Sequence, residues 1–127
     1  MDCVLLYSTL IAPYISSIDE YCKIRDNPYG LEKYAQSTEK LSPGDLLSVS
    51  VIDRYLNHYE IVSVGIAQEI LDKKTYELWM KSAFVNDWNC ACVYISKVRK
   101  LSPRNANNYV EYETLAKEWG GDPLPDQ

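Results

Sequence analysis

Apolar and polar positions recur along this chain in more than one register, and each register predicts an element. Residues 3–11 (CVLLYSTLI) are apolar and unbroken by glycine or proline, which predicts a buried strand ended by Pro13. Ser17-Ile18-Asp19-Glu20 has the form of a capping box, and Ile18, Tyr21, Cys22 and Arg25 follow at helical spacing. A short helix is predicted over residues 17–26, stopped by Asn27-Pro28. Leu31, Tyr34, Ala35 and Thr38 predict a second helix over about residues 30–40.

Ser42-Pro43-Gly44-Asp45 reads as a turn, with proline presetting φ and glycine supplying a left-handed position. Leu47, Val49 and Val51 then alternate with Ser48 and Ser50, the pattern of a half-exposed strand. A polar link from Asp53 to His58 leads to a longer strand, Ile61–Leu71, with Val62, Val64, Ile66 and Ile70 on one face. Gly65 falls on the opposite face, at a bulge or a close backbone approach. Residues 73–82 read as a helix with Tyr76, Trp79, Met80 and Ala83 on one side, and Asn89–Val98 as another strand. Pro103 and Asn105–Asn108 form a loop. A last helix over about residues 109–119 buries Tyr112, Leu115, Ala116 and Trp119 and is capped by Gly120-Gly121.

The two central strands are joined by a short link and should pair antiparallel. The fold expected is α+β: a small curved, mostly antiparallel sheet or pseudobarrel with short flanking helices. The 127 residues suit one globular domain over residues 1–121, with a frayed tail at 122–127. A strand at Asp45–Ile52, if at a sheet edge, would allow a homodimer.

Composition refines this picture. No run approaches the roughly 18 apolar residues of a membrane span, and no basic segment precedes residues 4–15 as a secretory signal would require. The expectation is a cytoplasmic protein without a membrane partner, its four cysteines reduced. The net charge of −5 is uneven: residues 1–107 carry 13 acids against 12 bases, and the last twenty carry five acids against Lys117 alone. That balance opposes tight nonspecific binding to duplex nucleic acid, which depends on phosphate neutralisation. It leaves one local basic strip, Lys97, Arg99, Lys100 and Arg104, as a candidate nucleic-acid contact.

Two stretches, Leu41-Ser-Pro-Gly-Asp45-Leu-Leu-Ser-Val and Ile61-Val-Ser-Val-Gly65-Ile-Ala-Gln-Glu-Ile70, together with Cys92-Val-Tyr-Ile-Ser-Lys-Val-Arg-Lys-Leu101, give the chain a family likeness. Over about residues 3–101 it resembles the PUA-like superfamily, especially its EVE and ASCH members. The resemblance implies a pseudobarrel with a pocket for a modified base, a small nucleoside or RNA. Gly44, Asp45 and Gly65 match structural positions of that pattern, while the ASCH combination of glycine, lysine and glutamate is missing.

Candidate chemistry is sparse. Cys90 and Cys92 would share one side of a strand, and with Cys3 and Cys22 could supply four thiolates. C-x-C in a strand is a poor zinc knuckle, so these cysteines read as core and no metal or cofactor is expected. The one histidine, His58, reads as a solvated link residue, the acids are scattered, and neither G-x-G-x-x-G nor G-x₄-G-K occurs. Eleven tyrosines and three tryptophans stand against one phenylalanine. Trp79 and Trp119 read as core, whereas Trp88, among Asn86, Asp87 and Asn89, is a candidate rim residue able to stack on a base.

These readings favour a noncatalytic module that binds a modified base, nucleotide or short single strand through Tyr7, Ser8, Arg25, Asn27 and Trp88, with the Lys97–Arg104 strip alongside. One alternative is a protein-interaction or inhibitory accessory protein, such as a mobile genetic element encodes, presenting Glu111, Glu113 and Glu118 to a basic partner. A small nucleoside-type hydrolase is the third.

Overall fold

The computed structural model describes residues 18–125, and among them every regular element is helical. Residues 18–25 form α1, Pro43–Ala67 form α2, Lys73–Leu101 form α3 and Val110–Glu118 form α4. Single 3₁₀ turns at Glu32–Tyr34, Thr38–Lys40 and Pro103–Asn105 lie in the connections. Helices α2 and α3 have 25 and 29 residues, about 37 and 43 Å of rod at 1.5 Å per residue. They run antiparallel, since Tyr94 of α3 reaches Asp53 while Asp87 reaches Tyr59. Helix α4 packs against both, and α1 lies where Tyr21 stacks on Tyr55 of α2 with ring centroids 3.8 Å apart.

The α+β expectation and the PUA-like resemblance are both overturned, because the two stretches that carried them belong to one continuous helix. Ser42-Pro43-Gly44-Asp45 is a helix start. The Ser42 hydroxyl accepts from the Asp45 amide at 3.1 Å, proline occupies the first turn where no amide partner is needed, and Asp45 faces the positive end of the helix dipole. The alternation at Leu47, Val49 and Val51 is too short to set the period. The positions that count are Ile52, Tyr55, Leu56, Tyr59, Val62, Ser63 and Ile66, spaced by three and four and all buried. The expected polar link at 53–58 is mid-helix. Gly65 does meet a close neighbour, inside a helix rather than at a strand bulge: a Cβ there would lie 2.9 Å from Leu71 Cδ1.

The expected strand at 89–98 is likewise the interior of α3, which begins where the helix at 73–82 was expected and continues to Leu101. Trp88, Ala91, Cys92 and Ile95 form its inward stripe. Residues 45–52 therefore offer no sheet edge for a dimer. The helix expected over 30–40 is two 3₁₀ turns. The first and last helices lie close to their expected positions, although Ser17 and the strand expected at 3–11 fall outside the described residues.

Both long-range turns end in the same motif. After α2, Ile70 N–H donates to Gly65 O at 2.8 Å and Glu69 N–H to Ile66 O at 3.0 Å, with Glu69 in the left-handed region at φ 60°. After α4, Gly121 N–H donates to Ala116 O at 2.7 Å and Gly120 N–H to Lys117 O at 3.1 Å. Of the tail expected to fray over 122–127, residues 122–125 are described, and they pack back onto α3. Leu124 is buried, Asp122 O accepts from Trp88 Nε1 at 2.8 Å and Pro125 O accepts from Ser96 at 3.1 Å.

The core is built on tyrosine. Tyr59 packs against Tyr55, Phe84 and Tyr112 with centroids 5.6, 5.2 and 4.9 Å away. A buried hydroxyl left without a partner costs about 1–3 kcal/mol, and three of these phenols have one. Tyr55 and Tyr59 donate to Asp87 at 2.7 and 2.6 Å, and Tyr112 donates to Phe84 O at 2.9 Å.

Candidate functional site

The turn between α2 and α3 lies beside α4, and the three enclose a groove of about 670 Å³. Its position follows from local chemistry. The left-handed Glu69 reverses the chain, turning Leu71 back over Gly65 and leaving Ile70 61% exposed. Asp72 then caps α3, accepting from the Thr75 amide at 2.9 Å and from its hydroxyl; these bonds hold its carboxyl below the usual range. On the opposite wall, the Glu60 carboxylate accepts from the first amides of α4, Tyr112 N–H at 2.7 Å and Glu111 N–H at 3.4 Å. This fixes Glu111 and Glu118 along the groove.

Ile66, Ile70, Leu71 and Leu115 give the groove an apolar floor, and Glu69, Asp72, Glu111 and Glu118 give it an acidic rim. Among the described residues Lys73 is the one basic residue lining it, and it is paired with Glu118 at 2.5 Å. The arrangement offers apolar contact area inside a negative field.

Of the three acids expected to face a partner from the last helix, Glu111 and Glu118 line this groove and Glu113 does not. Glu113 is buried and paired with Arg99 at 2.9 Å and Lys117 at 2.8 Å. Burial alone would push its carboxyl up, but the hydrogen bonds from Lys117 and Arg99 hold it below its usual value.

The expected ligand residues are not brought together. Tyr7 and Ser8 lie outside the described residues. Arg25 sits on α1 with Nε 3.0 Å from Asp26 and Nη1 3.5 Å from Asp87. Asn27 builds the turn after α1, accepting from Tyr29 N–H at 2.8 Å and donating to Gly30 O at 2.9 Å and to Ile24 O. Trp88 is fully buried, edge-on to Tyr112 at 5.1 Å, and so is a core residue rather than a rim one. Trp79, expected in the core, is 66% exposed, while Trp119 is buried.

The basic strip is divided by helical geometry. Residues two apart on a helix point about 200° apart, so Lys97 reaches Glu32 at 3.2 Å while Arg99 turns to Glu113 and donates to Asn108 O at 2.9 Å. Lys100 is exposed on α3, and Arg104 lines a second cleft, near Asp53. The same geometry separates the cysteines: Cys90 is exposed and Cys92 buried. Among the described residues no group of histidine, cysteine and acid side chains could hold a metal ion. His58 is buried in α2 rather than solvated in a link, and burial lowers its pKa to about 4, so it is neutral at physiological pH.

Sequence reasoning missed Asp53, Asp87 and the turn acids Glu69 and Asp72. Reading residues 52–66 with a period of 3.6 would have aligned Ile52, Tyr55, Leu56 and Tyr59 and raised the question of what satisfies two buried phenols.

Together the fold and groove define a small helical bundle with an amphipathic, acid-rimmed surface cleft. The chain matches the family model described as "Domain of unknown function (DUF4760)" over residues 12–119 and belongs to that family. No curated protein and no solved structure matches it. No helix among the described residues is long and apolar enough to cross a membrane.

Proposed function

We propose that this domain is a noncatalytic protein-interaction module whose groove between the α2–α3 turn and α4 takes a basic, apolar-anchored segment of a partner protein. The observation that carries the reading is the groove itself: four carboxylates rim an apolar floor with one paired lysine among them, and Ile70 stands 61% exposed within it. Apolar anchors supply affinity at such a surface, and the surrounding charge selects the partner and steers its approach. A base-binding reading has less to rest on, because Trp88 is buried and Lys97 and Arg99 are engaged with Glu32 and Glu113.

The test is fluorescence anisotropy with a labelled peptide alternating lysine and leucine, against an analogue with glutamate in place of lysine. The lysine peptide should bind, and its affinity should fall with added salt. Glu69→Lys with Glu111→Lys should weaken it at least tenfold, and Ile70→Ser should weaken it severalfold. Equal binding of the glutamate analogue, or unchanged affinity in the double variant, would refute the groove. Deleting residues 108–127 is a poor test, because Tyr112 is fully buried and the deletion removes core.

A further inference from the structure

A second cleft, of about 590 Å³, lies at the other end of the α2–α3 pair, between the 3₁₀ turns after α1 and the connection from α3 to α4. Asp53 forms part of its wall. Its Oδ1 accepts from Tyr109 at 3.1 Å and from Tyr94 at 3.3 Å. Among the described residues nothing donates to Oδ2, and no lysine or arginine forms an ion pair with the carboxylate.

The same protein shows what completes such a constellation. Asp87 also accepts from two tyrosine hydroxyls on one oxygen, and its other oxygen faces a guanidinium, Arg25 Nη1 at 3.5 Å. A carboxylate drawn partly out of water without a counter-cation is unfavourable. Burial accordingly pushes the Asp53 carboxyl above its usual value, against the lowering effect of Tyr109 and Tyr94. The cleft wall around it holds three mostly buried tyrosines, Tyr34, Tyr94 and Tyr109, and aromatic rings favour cations over neutral groups.

We propose that this cleft binds a small organic cation, its ammonium or guanidinium group seated on Asp53 in the role Arg25 plays for Asp87. The size is that of a metabolite site, since ligand pockets run from about 300 to 1,000 Å³. Arg104 lines the same cleft, so a monocation, or a molecule with an anionic far end, is favoured over a polyamine. The inference is independent of the groove beside α4 and stands or falls apart from it.

The test is an NMR titration of the full chain with choline, methylguanidinium and arginine, with 3,3-dimethylbutanol as the uncharged isostere of choline. At least one of the cations should saturate the amide shifts of residues 34–38, 53–57 and 102–109, and the alcohol should not. Asp53→Asn keeps an acceptor for both tyrosines, so it should fold while weakening the cation at least tenfold. Arg104→Ala should leave choline bound equally or more tightly. Saturation by none of the three cations, equal binding of the alcohol, or undiminished affinity in Asp53→Asn would each overturn the proposal. Loss of choline binding in Arg104→Ala would do the same, by placing the ligand on the arginine.

Discussion

Asp87 and Asp53 each draw two tyrosine hydroxyls to a single carboxylate oxygen, Asp87 from Tyr55 and Tyr59, Asp53 from Tyr94 and Tyr109. They differ in what lies around them. Asp87 is 6% exposed, its bonds are 2.6 and 2.7 Å, and it is enclosed by α1, which brings Arg25. Asp53 has bonds of 3.1 and 3.3 Å and borders an open cleft, and among the described residues no lysine or arginine is paired with it. Asp87 is a structural group: it lets two phenols be buried by supplying acceptors, and its charge is offset within the chain. Asp53 lacks that offset, and this difference is what the proposed organic cation would make good.

The sharpest way to break this comparison is Asp87→Ala. It leaves two buried phenol hydroxyls without their acceptor, at about 1–3 kcal/mol each, so thermal unfolding should drop by about 8–24 °C at about 4 °C per kcal/mol. A smaller change at the cleft-side aspartate than at Asp87 is required; comparable losses from Asp53→Ala would erase the distinction.

Next in size is Gly121→Ala, which probes how tightly the enclosed end is packed. A Cβ there would lie 2.8 Å from Trp88 Cδ1 and 2.9 Å from Ala116 O, a backbone atom that cannot swing aside. Overpacking of this kind costs about 1–3 kcal/mol, readable as a lower denaturant midpoint with an unchanged m-value. Arg25→Ala follows. It would turn Asp87 into a second carboxylate without a cation, and because Arg25 is partly exposed the loss should be about 1 kcal/mol.

The smallest effect has the opposite sign. Asp53→Asn should leave unfolding unchanged or raise it by up to about 4 °C, roughly 1 kcal/mol. The pH dependence follows from the raised carboxyl. The folded state holds the proton more tightly than the unfolded chain, so Asp53 favours folding at acid pH, and that contribution is lost as pH rises through the raised value. The advantage of Asp53→Asn over the natural chain should thus be smaller near pH ~4 than near pH ~7. A variant less stable at neutral pH would show that the charge is already balanced.

The ends of elements were more legible than their interiors. Gly120-Gly121 after Trp119 stopped α4 as expected, and Asn27 ended α1 by binding its own turn. Ser42-Pro43-Gly44-Asp45 was recognised as a boundary and given the wrong sense, since serine followed by proline with an acid at the third position also opens a helix. Leu47, Val49 and Val51 satisfied a strand period over five residues, and β-branched residues in 61–66 reinforced it, while the longer helical stripe ran through tyrosines whose hydroxyls made them look polar. The groove acids were half visible: Glu111 and Glu118 were named from charge alone, but which side of α4 faced inward, and so removed Glu113, depended on Arg99 fourteen residues earlier.

Sequence alone determined the local features: where chain direction changes, the acid excess near the C-terminus, and the amphipathic last helix. Each of these is set by dihedral preference or by side chains within one or two turns. Tertiary structure alone decided that residues 43–67 are one rod, that Trp88 faces inward and that two aspartates of like appearance have different surroundings. A buried phenol is stabilised when an acceptor arrives, and for Tyr59 that acceptor lies 28 residues further along the chain. No local pattern encodes such a pairing, because its free energy exists only once the two helices lie side by side.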